Sequence, residues 1–344
     1  MDRQSTIDFR PTIALATLMI IGVVGTVHFL ATQAATPTVA LEPEKGMLSP
    51  GATVVNDSTA SGGSAVKFPA PLNPGGDATI MAAGDFNGGT EAGRTFATMK
   101  AQNPAAILGL GDFQYNGSNV GDPATGGFNT QIGSLKAITY PTAGPTHDIQ
   151  GTSPSGPYQN YWGRSPFALY SFNLGNWHII SLPSASFRYG VNVSAIQSQL
   201  DADLAADKHP CTLAFWHEPY WTLSTSGHNS RDEPGESAWI QSLYNHNADL
   251  ILTGHQHDYQ RYGPNDPSGK LDPARGIPEF VIGTGGVGFY TFNGVNNADA
   301  PNLIFSNAST YGSVKFILHS NGYDFTFLPN GGGAPLDSGS GTCH

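Results

Sequence analysis

Short apolar runs alternate with amphipathic stretches in the chain after residue 77. The run Ala78–Ala83 ends at Gly84-Asp85, and a second run over 105–110 ends at Gly111-Asp112. The segment between the runs, 91–102, has apolar residues at helical spacing. This order predicts a βαβ unit in which both aspartates follow the carboxyl ends of buried strands. Open α/β sheets bind their ligands at that edge.

The second half of the chain continues this alternation towards the C-terminus. We predict a hairpin over 170–180, helices over 193–206 and 236–247, and strands over 212–216, 249–252, 279–282, 314–318 and 323–328. His217 directly follows the first of these strands, and His255 and His257 follow the second. Because there is no internal repeat and no boundary after Asp77, the sequence predicts one α/β domain over 78–344.

Residues 1–35 have the composition of an export signal. Arg3 and Arg10 precede an apolar run over 13–30, and the small residues after it suit cleavage near residue 35. The run is long for a cleaved signal, so an uncleaved membrane anchor is the alternative. We favour cleavage and expect the remainder to be extracytoplasmic. Residues 36–77 are rich in Thr, Pro, Ser, Gly and Ala without periodicity, which predicts a flexible tether.

The charge of the chain limits the classes of function. Its 344 residues include 26 acidic and 15 basic ones, for a formal net charge of −11. We therefore expect no nucleic-acid partner, because such partners are bound by basic surfaces. An acidic protein can still act on an anionic phosphate if bound cations overcome its own field.

The chain has two cysteines, Cys211 and Cys343. In an exported protein an even count allows one disulfide, which here would join the C-terminal tail to a core strand. The alternative is two unpaired thiols, with Cys211 buried at the start of a strand. We favour the disulfide.

Two carboxylates and three imidazoles fall at the ends of predicted strands: Asp85, Asp112, His217, His255 and His257. Hard divalent and trivalent ions bind carboxylate oxygen and imidazole nitrogen, and rigid strand ends hold such ligands in place. Alone, an aspartate of this kind often caps a helix, and a lone histidine is usually a surface or core residue. The ordered series predicts a metal site.

The ordered motifs also resemble those of one enzyme family. They comprise Gly84-Asp85, Gly111-Asp112 with Phe113-Gln114-Tyr115, His147-Asp148, His217, and Gly254-His255-Gln256-His257-Asp258-Tyr259. The series resembles the calcineurin-like metallophosphoesterases, and among them the purple acid phosphatase-like branch found in secreted bacterial members. The resemblance covers 78–344. It implies a β-sandwich of two mixed sheets flanked by helices, in the order α/β/β/α, with the metals at the strand ends.

The resemblance implies four ligands for a first metal ion: Asp85, Asp112, Tyr115 and His257. A tyrosine ligand suits ferric iron, so Fe³⁺ is implied at this position, with Asp112 bridging to a second ion. A hydroxide activated by the two ions would attack phosphorus in line, while the ions neutralise charge on the phosphoryl oxygens.

The second ion would take Asp112, His217, His255 and a fourth ligand, and the resemblance implies Zn²⁺, Mn²⁺ or Fe²⁺ there. The family has asparagine as the fourth ligand, whereas this chain has Thr146. A hydroxyl is a weaker ligand of shorter reach than an amide oxygen. Either a nearby residue substitutes and activity persists, which we favour, or the site has changed its metal preference or degenerated.

Three further residues are candidates for catalysis. His147 stands where the family has a histidine near the leaving group, and Asp148 could orient it. The alternative for His147 is a loop histidine without a role in proton transfer. His228 is a candidate substrate contact, although such a histidine is more often merely exposed.

A secreted phosphoesterase that hydrolyses small phosphate mono- or diesters is the first hypothesis. The alternative is a cell-surface binding or structural protein on a degenerate phosphoesterase scaffold, which Thr146 and the tether favour. A serine hydrolase is disfavoured because no Gly-X-Ser-X-Gly elbow occurs. The sequence leaves the natural substrate and the oligomeric state open.

Overall fold

The computed structural model describes residues 53–56, 64–67, 76–115, 122–149, 156–223, 225–226, 234–292 and 300–344. The predicted leader, most of the predicted tether and His228 lie outside these ranges. Within the tether region, strands β1 (Thr53–Asn56) and β2 (Ser64–Lys67) pair in a two-stranded sheet. The composition of this segment did not predict these two strands. The division into leader, tether and domain stays a prediction.

The larger sheet of the domain has seven strands and a parallel centre. In spatial order these are β12 (Leu303–Asn307), β10 (Tyr259–Tyr262), β11 (Glu279–Ile282), β9 (Leu250–Thr253), β8 (Cys211–Phe215), β7 (Trp177–Ser181) and β6 (Tyr170–Leu174). The pairs from β11 through β9 and β8 to β7 are parallel. The pairs at both edges are antiparallel, so the sheet is mixed.

The second sheet has six strands and is also mixed. In spatial order these are β15 (Ser338–Thr342), β14 (Gly322–Pro329), β13 (Gly312–His319), β3 (Ala78–Ala83), β4 (Ala106–Gly109) and β5 (Thr139–Pro141). Strands β3, β4 and β5 run parallel to one another, as the βαβ prediction requires. The remaining pairs are antiparallel.

Helices cover the outer faces of the two sheets. The α-helices are α1 (Thr90–Ala101), α2 (Phe128–Ile132), α3 (Pro157–Trp162), α4 (Ala185–Tyr189), α5 (Val193–Ala206) and α6 (Ser237–Asn245), with 3₁₀ turns at Gly133–Ile138 and Pro234–Glu236. Strand β8 is buried on both faces: Leu213 belongs to the same core cluster as Phe316 of β13, whereas Ala214 belongs to the cluster that contains Ile196 and Leu200 of α5. Such double burial is typical of parallel strands covered by helices. The predicted α/β sandwich of two mixed sheets flanked by helices is confirmed.

The predicted elements are observed with small differences at their ends, and several strands were not predicted. The helix over 193–206 and the strands over 78–83 and 279–282 have the predicted bounds, and most others shift by one or two residues. Strands β5, β10, β12 and β15 are missing from the prediction. A disulfide joins Cys211 to Cys343, as predicted. Within the described ranges, no helix has the length and apolarity needed to cross a bilayer.

Candidate metal centre

The carboxyl ends of four parallel strands meet at one edge of the sandwich. Asp85 and Asp112 follow β3 and β4, and His217 and His255 follow β8 and β9. Backbone hydrogen bonds connect the strand ends within and between the sheets. The N–H of Asp85 donates to Gly111 O over 3.0 Å, and the N–H of Gly254 donates to His217 O over 2.8 Å. The predicted convergence of these side chains on one edge is observed.

Three of these residues have a left-handed backbone. The φ angles are +64° at Asp85, +51° at Asp112 and +69° at His255. Non-glycine residues rarely adopt this conformation, and it persists only where the surroundings impose it. All three positions lie within three residues of the end of a strand, at β3, β4 and β9 respectively.

Glycines allow the backbone to approach this edge closely. A Cβ on Gly111, whose φ is +89°, would lie 2.5 Å from His217 Nδ1. A Cβ on Gly144 would overlap the Asp112 carboxylate. The glycines therefore leave room for the polar side chains, and the Gly-Asp pairs in the sequence reflect this steric requirement.

Asp85, Tyr115 and His257 form one group of donors with Asp112. The Tyr115 hydroxyl donates to Asp85 Oδ1 over 2.6 Å, and it lies 3.1 Å from both Asp112 Oδ2 and His257 Nε2. His257 Nε2 is also 3.6 Å from Asp85 Oδ1. A phenolic oxygen, two carboxylates and an imidazole nitrogen thus face a common point.

Asp112 belongs to a second group with His217, His255 and Thr146. Asp112 Oδ2 lies 3.3 Å from His217 Nε2 and accepts a 3.3 Å hydrogen bond from Thr146 Oγ1. His217 Nε2 is 3.2 Å from His255 Nδ1. Ligand atoms of Asp112, His217 and His255 all lie within 4.8 Å of one another. The Thr146 hydroxyl therefore reaches the group, although it contacts it through the carboxylate.

Backbone carbonyls set the orientation of two imidazoles. His217 Nδ1 lies 2.7 Å from Leu110 O, and His257 Nδ1 lies 2.9 Å from Gly288 O. In each case the Nδ1–H donates to the carbonyl, which leaves Nε2 as the ring nitrogen that faces the carboxylates. Metal-ligating histidines are typically held in this way.

The protonation of the site reflects its burial. Burial raises the pKa of Asp85 to about 7, with the His217 charge opposing the shift and the Asp112 charge adding to it. Burial acts to raise the Asp112 pKa too, but the charge and hydrogen bond of His217, together with the charges of His147 and His255, outweigh it and hold the Asp112 pKa below its usual range. Burial lowers the pKa of His257 to about 3, so its imidazole is neutral at physiological pH. Neutral imidazole is the form that binds a metal.

The donor set fits a pair of metal ions. Two carboxylates that share so little space repel each other unless cations lie between them. Hard oxygen donors gather on the Tyr115 side and two imidazoles on the Thr146 side, which matches the preferences of iron-type and zinc-type ions. Every ligand predicted from the sequence is within reach of this point, and its role as a ligand stays a prediction.

Asp148 has contacts that the sequence did not reveal. Its carboxylate accepts hydrogen bonds from the backbone N–H groups of Asp112, Phe113 and Gly144 over 2.6, 2.9 and 2.8 Å. Burial raises the pKa of Asp148 to about 8, whereas the three N–H donors favour the carboxylate. Asp148 thereby ties the loop after β4 to the loop after β5 and fixes the backbone of Asp112.

His147 lies at the rim of the site. Its ring centroid is 4.0 Å from that of Tyr115, and its backbone N–H donates to Asp112 Oδ1 over 3.3 Å. Both His147 and Thr146 are partly exposed, as is Tyr115, whereas the aspartate and histidine ligands are buried. The predicted orientation of His147 by Asp148 stays a prediction, as does the role of His228.

Tyr290 is a site residue that sequence reasoning missed. Its ring stacks on His257 with a centroid distance of 4.0 Å and an interplanar angle of 10°. It lies more than thirty positions from His257 along the chain, in a loop without periodicity, so no pattern in the sequence marks it.

Comparison with known proteins agrees with this geometry. No protein-family model matches the sequence. Over 131 residues, or 37% of the chain, the sequence is 36% identical to purple acid phosphatase 15 of Arabidopsis thaliana. The matched segment makes up only 24% of that curated relative.

Solved structures share the fold at low sequence identity. Purple acid phosphatase PPD1 from yellow lupin (Lupinus luteus) seeds has a TM-score of 0.60 and 16% identity, covering 77% of this chain and 54% of that one. GAP50, the anchor in the inner membrane complex of Plasmodium, has a TM-score of 0.58 and 14% identity, covering 78% and 89%. The chain has the calcineurin-like metallophosphoesterase fold and is purple acid phosphatase-like by distant, partial homology.

Proposed function

We propose that this chain is a secreted dinuclear-metal phosphoesterase that hydrolyses small phosphate mono- or diesters. The observation that carries the proposal is the position of Asp112 between two donor groups, with Oδ2 3.1 Å from the Tyr115 hydroxyl and 3.3 Å from His217 Nε2. A shared carboxylate suits two ions about 3.5–4 Å apart, the usual spacing in two-metal hydrolases. The partial homology to purple acid phosphatase 15 supports the same assignment.

Each donor group would hold one ion. In this proposal Asp85, Tyr115 and His257 hold Fe³⁺ with Asp112, and His217, His255 and Thr146 hold Zn²⁺, Mn²⁺ or Fe²⁺ on its other side. Bound there, the ions would activate water for attack on phosphorus and offset charge on the phosphoryl oxygens.

The chain contributes placement and proton transfer. The carbonyls of Leu110 and Gly288 orient His217 and His257, and Asp148 fixes the Asp112 backbone. His147, at the partly exposed rim, donates a proton from its imidazole to the leaving-group oxygen. This role would explain why His147 lies beside the proposed metal ligands without being one of them.

The remaining properties of the chain support a small substrate and an extracytoplasmic location. With a net charge of −11, the protein attracts a phosphate ester only where cations reverse its field. The Cys211–Cys343 disulfide supports export, because such bonds persist in oxidising compartments. Cleavage of the predicted leader gives a secreted protein, and retention gives one anchored to the membrane.

A second candidate function is a cell-surface binding or structural protein that keeps the scaffold without the chemistry. Two observations favour it. Thr146 reaches the second donor group only through a 3.3 Å hydrogen bond to Asp112, and the similar structure of GAP50 belongs to an anchor protein. Metal content distinguishes the two functions.

The test combines metal analysis with two substitutions. Untagged full-length protein should contain at least two metal ions per chain and show a tyrosinate-to-iron absorption band that Tyr115→Phe removes. Asp112→Asn should lower hydrolysis of p-nitrophenyl phosphate and its diester by about 10³-fold or more, because metal ions supply several kcal/mol of transition-state stabilisation.

Asp324→Asn is the matched control, since Asp324 is an exposed carboxylate that pairs with His319. It should leave hydrolysis and metal content unchanged. Undiminished hydrolysis by Asp112→Asn would exclude the two-metal mechanism. A chain that takes up neither iron, zinc nor manganese would instead have the binding or structural function.

A further inference from the structure

A second cluster of metal-type ligands lies at the opposite end of the larger sheet. His178 is the second residue of β7, Asp207 caps the C-terminus of α5, and His209 lies two positions before β8. The metal centre follows the carboxyl ends of the strands, whereas this cluster is at their amino ends. Eight residues, at about 3.3 Å each in a strand, place His209 on the order of 20–25 Å from His217.

The three side chains converge on a small volume. Asp207 Oδ1 lies 2.6 Å from His209 Nδ1 and 3.9 Å from His178 Nδ1. All three ligand atoms lie within 4.8 Å of one another. The two imidazole rings are nearly parallel, at 17°, with centroids 6.1 Å apart. A carboxylate oxygen between two facing imidazoles is a common ligand arrangement for zinc.

A carboxylate outside the cluster holds the His178 ring from the side opposite Asp207. His178 Nε2 lies 2.8 Å from Asp203 Oδ2, and the other oxygen of Asp203 accepts a 3.0 Å hydrogen bond from Ser171 Oγ. The Nε2–H donates to Asp203, so the Nδ1 of the same ring faces the cluster. A carboxylate behind a ligating imidazole fixes the ring and strengthens it as a donor.

A neutral oxygen donor lies beside the same imidazole. His178 Nδ1 is 2.7 Å from Asn173 Oδ1. A metal ion at this point would replace the hydrogen bonds made by His178 Nδ1 and His209 Nδ1 and would meet Asn173 Oδ1 as a fourth, neutral ligand. Hydrogen bonds from His209 hold the pKa of Asp207 below its usual range despite burial, so its carboxylate is ionised.

We propose that His178, Asp207 and His209 form a structural zinc-type site at the amino ends of β7 and β8. Tetrahedral zinc with bonds of about 2.0–2.1 Å brings its donor atoms to about 3.3–3.5 Å from one another. The two separations from Asp207 Oδ1, 2.6 and 3.9 Å, reach this geometry with shifts of less than about 1 Å. The two imidazole nitrogens lie within 4.8 Å of each other and need a shift of up to about 1.5 Å, part of it in the half-buried loop that carries His209. Two imidazole nitrogens favour zinc over calcium or magnesium, which bind oxygen. The bound ion would tie the β6–β7 hairpin to the connection between α5 and β8.

The experiment measures Zn²⁺ binding by untagged full-length protein by calorimetry and by metal analysis after dialysis. Wild-type protein should bind one more Zn²⁺ than His209→Ala, with release of protons. His246→Ala is the matched control, since His246 is an exposed histidine bonded to Ser242 O at the end of α6. It should bind as much Zn²⁺ as the wild type.

Asp203→Asn tests the positioning role of Asp203, because it keeps the side-chain shape and removes the charge. It should weaken binding at this site by about 10–100-fold without abolishing it. Phosphoester hydrolysis should be the same in all of these variants, which also shows that they fold. The proposal is overturned if His209→Ala binds as much Zn²⁺ as wild type, or if the additional ion binds only at millimolar concentration.

Discussion

The two ends of strand β8 carry opposite kinds of polar structure. At the carboxyl end, His217 is crowded against Asp112 and His255 at 3.2–3.3 Å, with positive φ angles nearby. At the amino end, Cys211 is bonded to Cys343, and the Asp249 carboxylate accepts the N–H groups of Thr212 and His344. We call the four residues Cys211, Cys343, Asp249 and His344 the C-terminal clasp.

The difference concerns where the compensating charge comes from. In the clasp, every carboxylate oxygen of Asp249 meets an N–H donor of the same chain. At the carboxyl end, Asp85 and Asp112 are buried side by side, and burial raises the pKa of Asp85 to about 7. Such a group of ligands is balanced by cations from outside the chain. The clasp should therefore contribute stability, and the metal centre chemistry.

Removing the disulfide tests this division with the largest expected effect on stability. The variant Cys211→Ser/Cys343→Ser should lose about 2–4 kcal/mol of unfolding free energy, because the bond closes a long loop in the unfolded chain. Urea unfolding measures the loss. Hydrolysis and metal content of the folded variant should equal those of the wild type. A loss of metal by this variant would show that the two ends are not independent.

Asp148→Asn tests the same comparison at the metal centre, the carboxyl end of the strands. In the wild type, the two oxygens of the Asp148 carboxylate accept hydrogen bonds from three backbone N–H groups. The asparagine amide has only one oxygen, so at least one N–H donor is left facing its NH₂ group. We expect about 1–3 kcal/mol of lost stability and weaker metal binding, because the Asp112 backbone is no longer fixed. Thermal unfolding and metal titration measure the two effects.

Asp266→Asn is the control for this substitution. Asp266 also accepts backbone N–H groups, from Ser268 and Lys270, but in an exposed turn. It should change stability much less and leave metal binding intact. If the two variants affect metal binding equally, Asp148 has no specific role in positioning the metal ligands.

Thr146→Asn should have a smaller effect, in the favourable direction. An amide oxygen reaches further than a hydroxyl, so we expect metal affinity at the His217 and His255 side to rise about tenfold, equivalent to about 1.4 kcal/mol. Metal titration measures this, with Thr146→Ala as the control that removes the hydroxyl. If Asn gives no gain over Thr, another residue already supplies the fourth ligand.

Sequence reasoning found the strand ends of the metal centre because the chemistry there has local signals. An apolar run followed by Gly-Asp marks β3 and β4, and His217 and His255 also directly follow apolar strands. The roles of Asp148 and of the Leu110 and Gly288 carbonyls have no such signal, since they depend on loops brought together by the fold.

The missed strands show the same limit. Strand β15 has the sequence Ser-Gly-Ser-Gly-Thr, which contains no apolar residue to mark a strand. It is a strand because it pairs with β14, where Gly339 and Gly341 lie opposite Phe325 and Tyr323. A Cβ on Gly339 would lie 2.8 Å from the Phe325 ring, so these glycines make room for aromatic rings of the neighbouring strand. Only the tertiary pairing makes this segment readable as β-structure.

The smallest predicted effect is a pH dependence of the clasp. The hydrogen bond to Asp249 raises the pKa of His344 above its usual value, with burial opposing the shift. A histidine whose pKa is raised by folding adds stability below its unfolded value of about 6.5, and that stability is lost as the pH rises through the folded pKa. Because the side chain is partly exposed, we expect only about 0.5 kcal/mol.

His344→Ala keeps the backbone hydrogen bond to Asp249 Oδ1, which is 2.7 Å long, and removes only the imidazole. Urea midpoints measured between about pH 6 and pH 9 should fall slightly more for wild type than for this variant, because only wild type loses the charged pair. His246→Ala should follow the wild-type curve. If wild type and His344→Ala have the same pH dependence, the His344 imidazole contributes no charge interaction to the clasp.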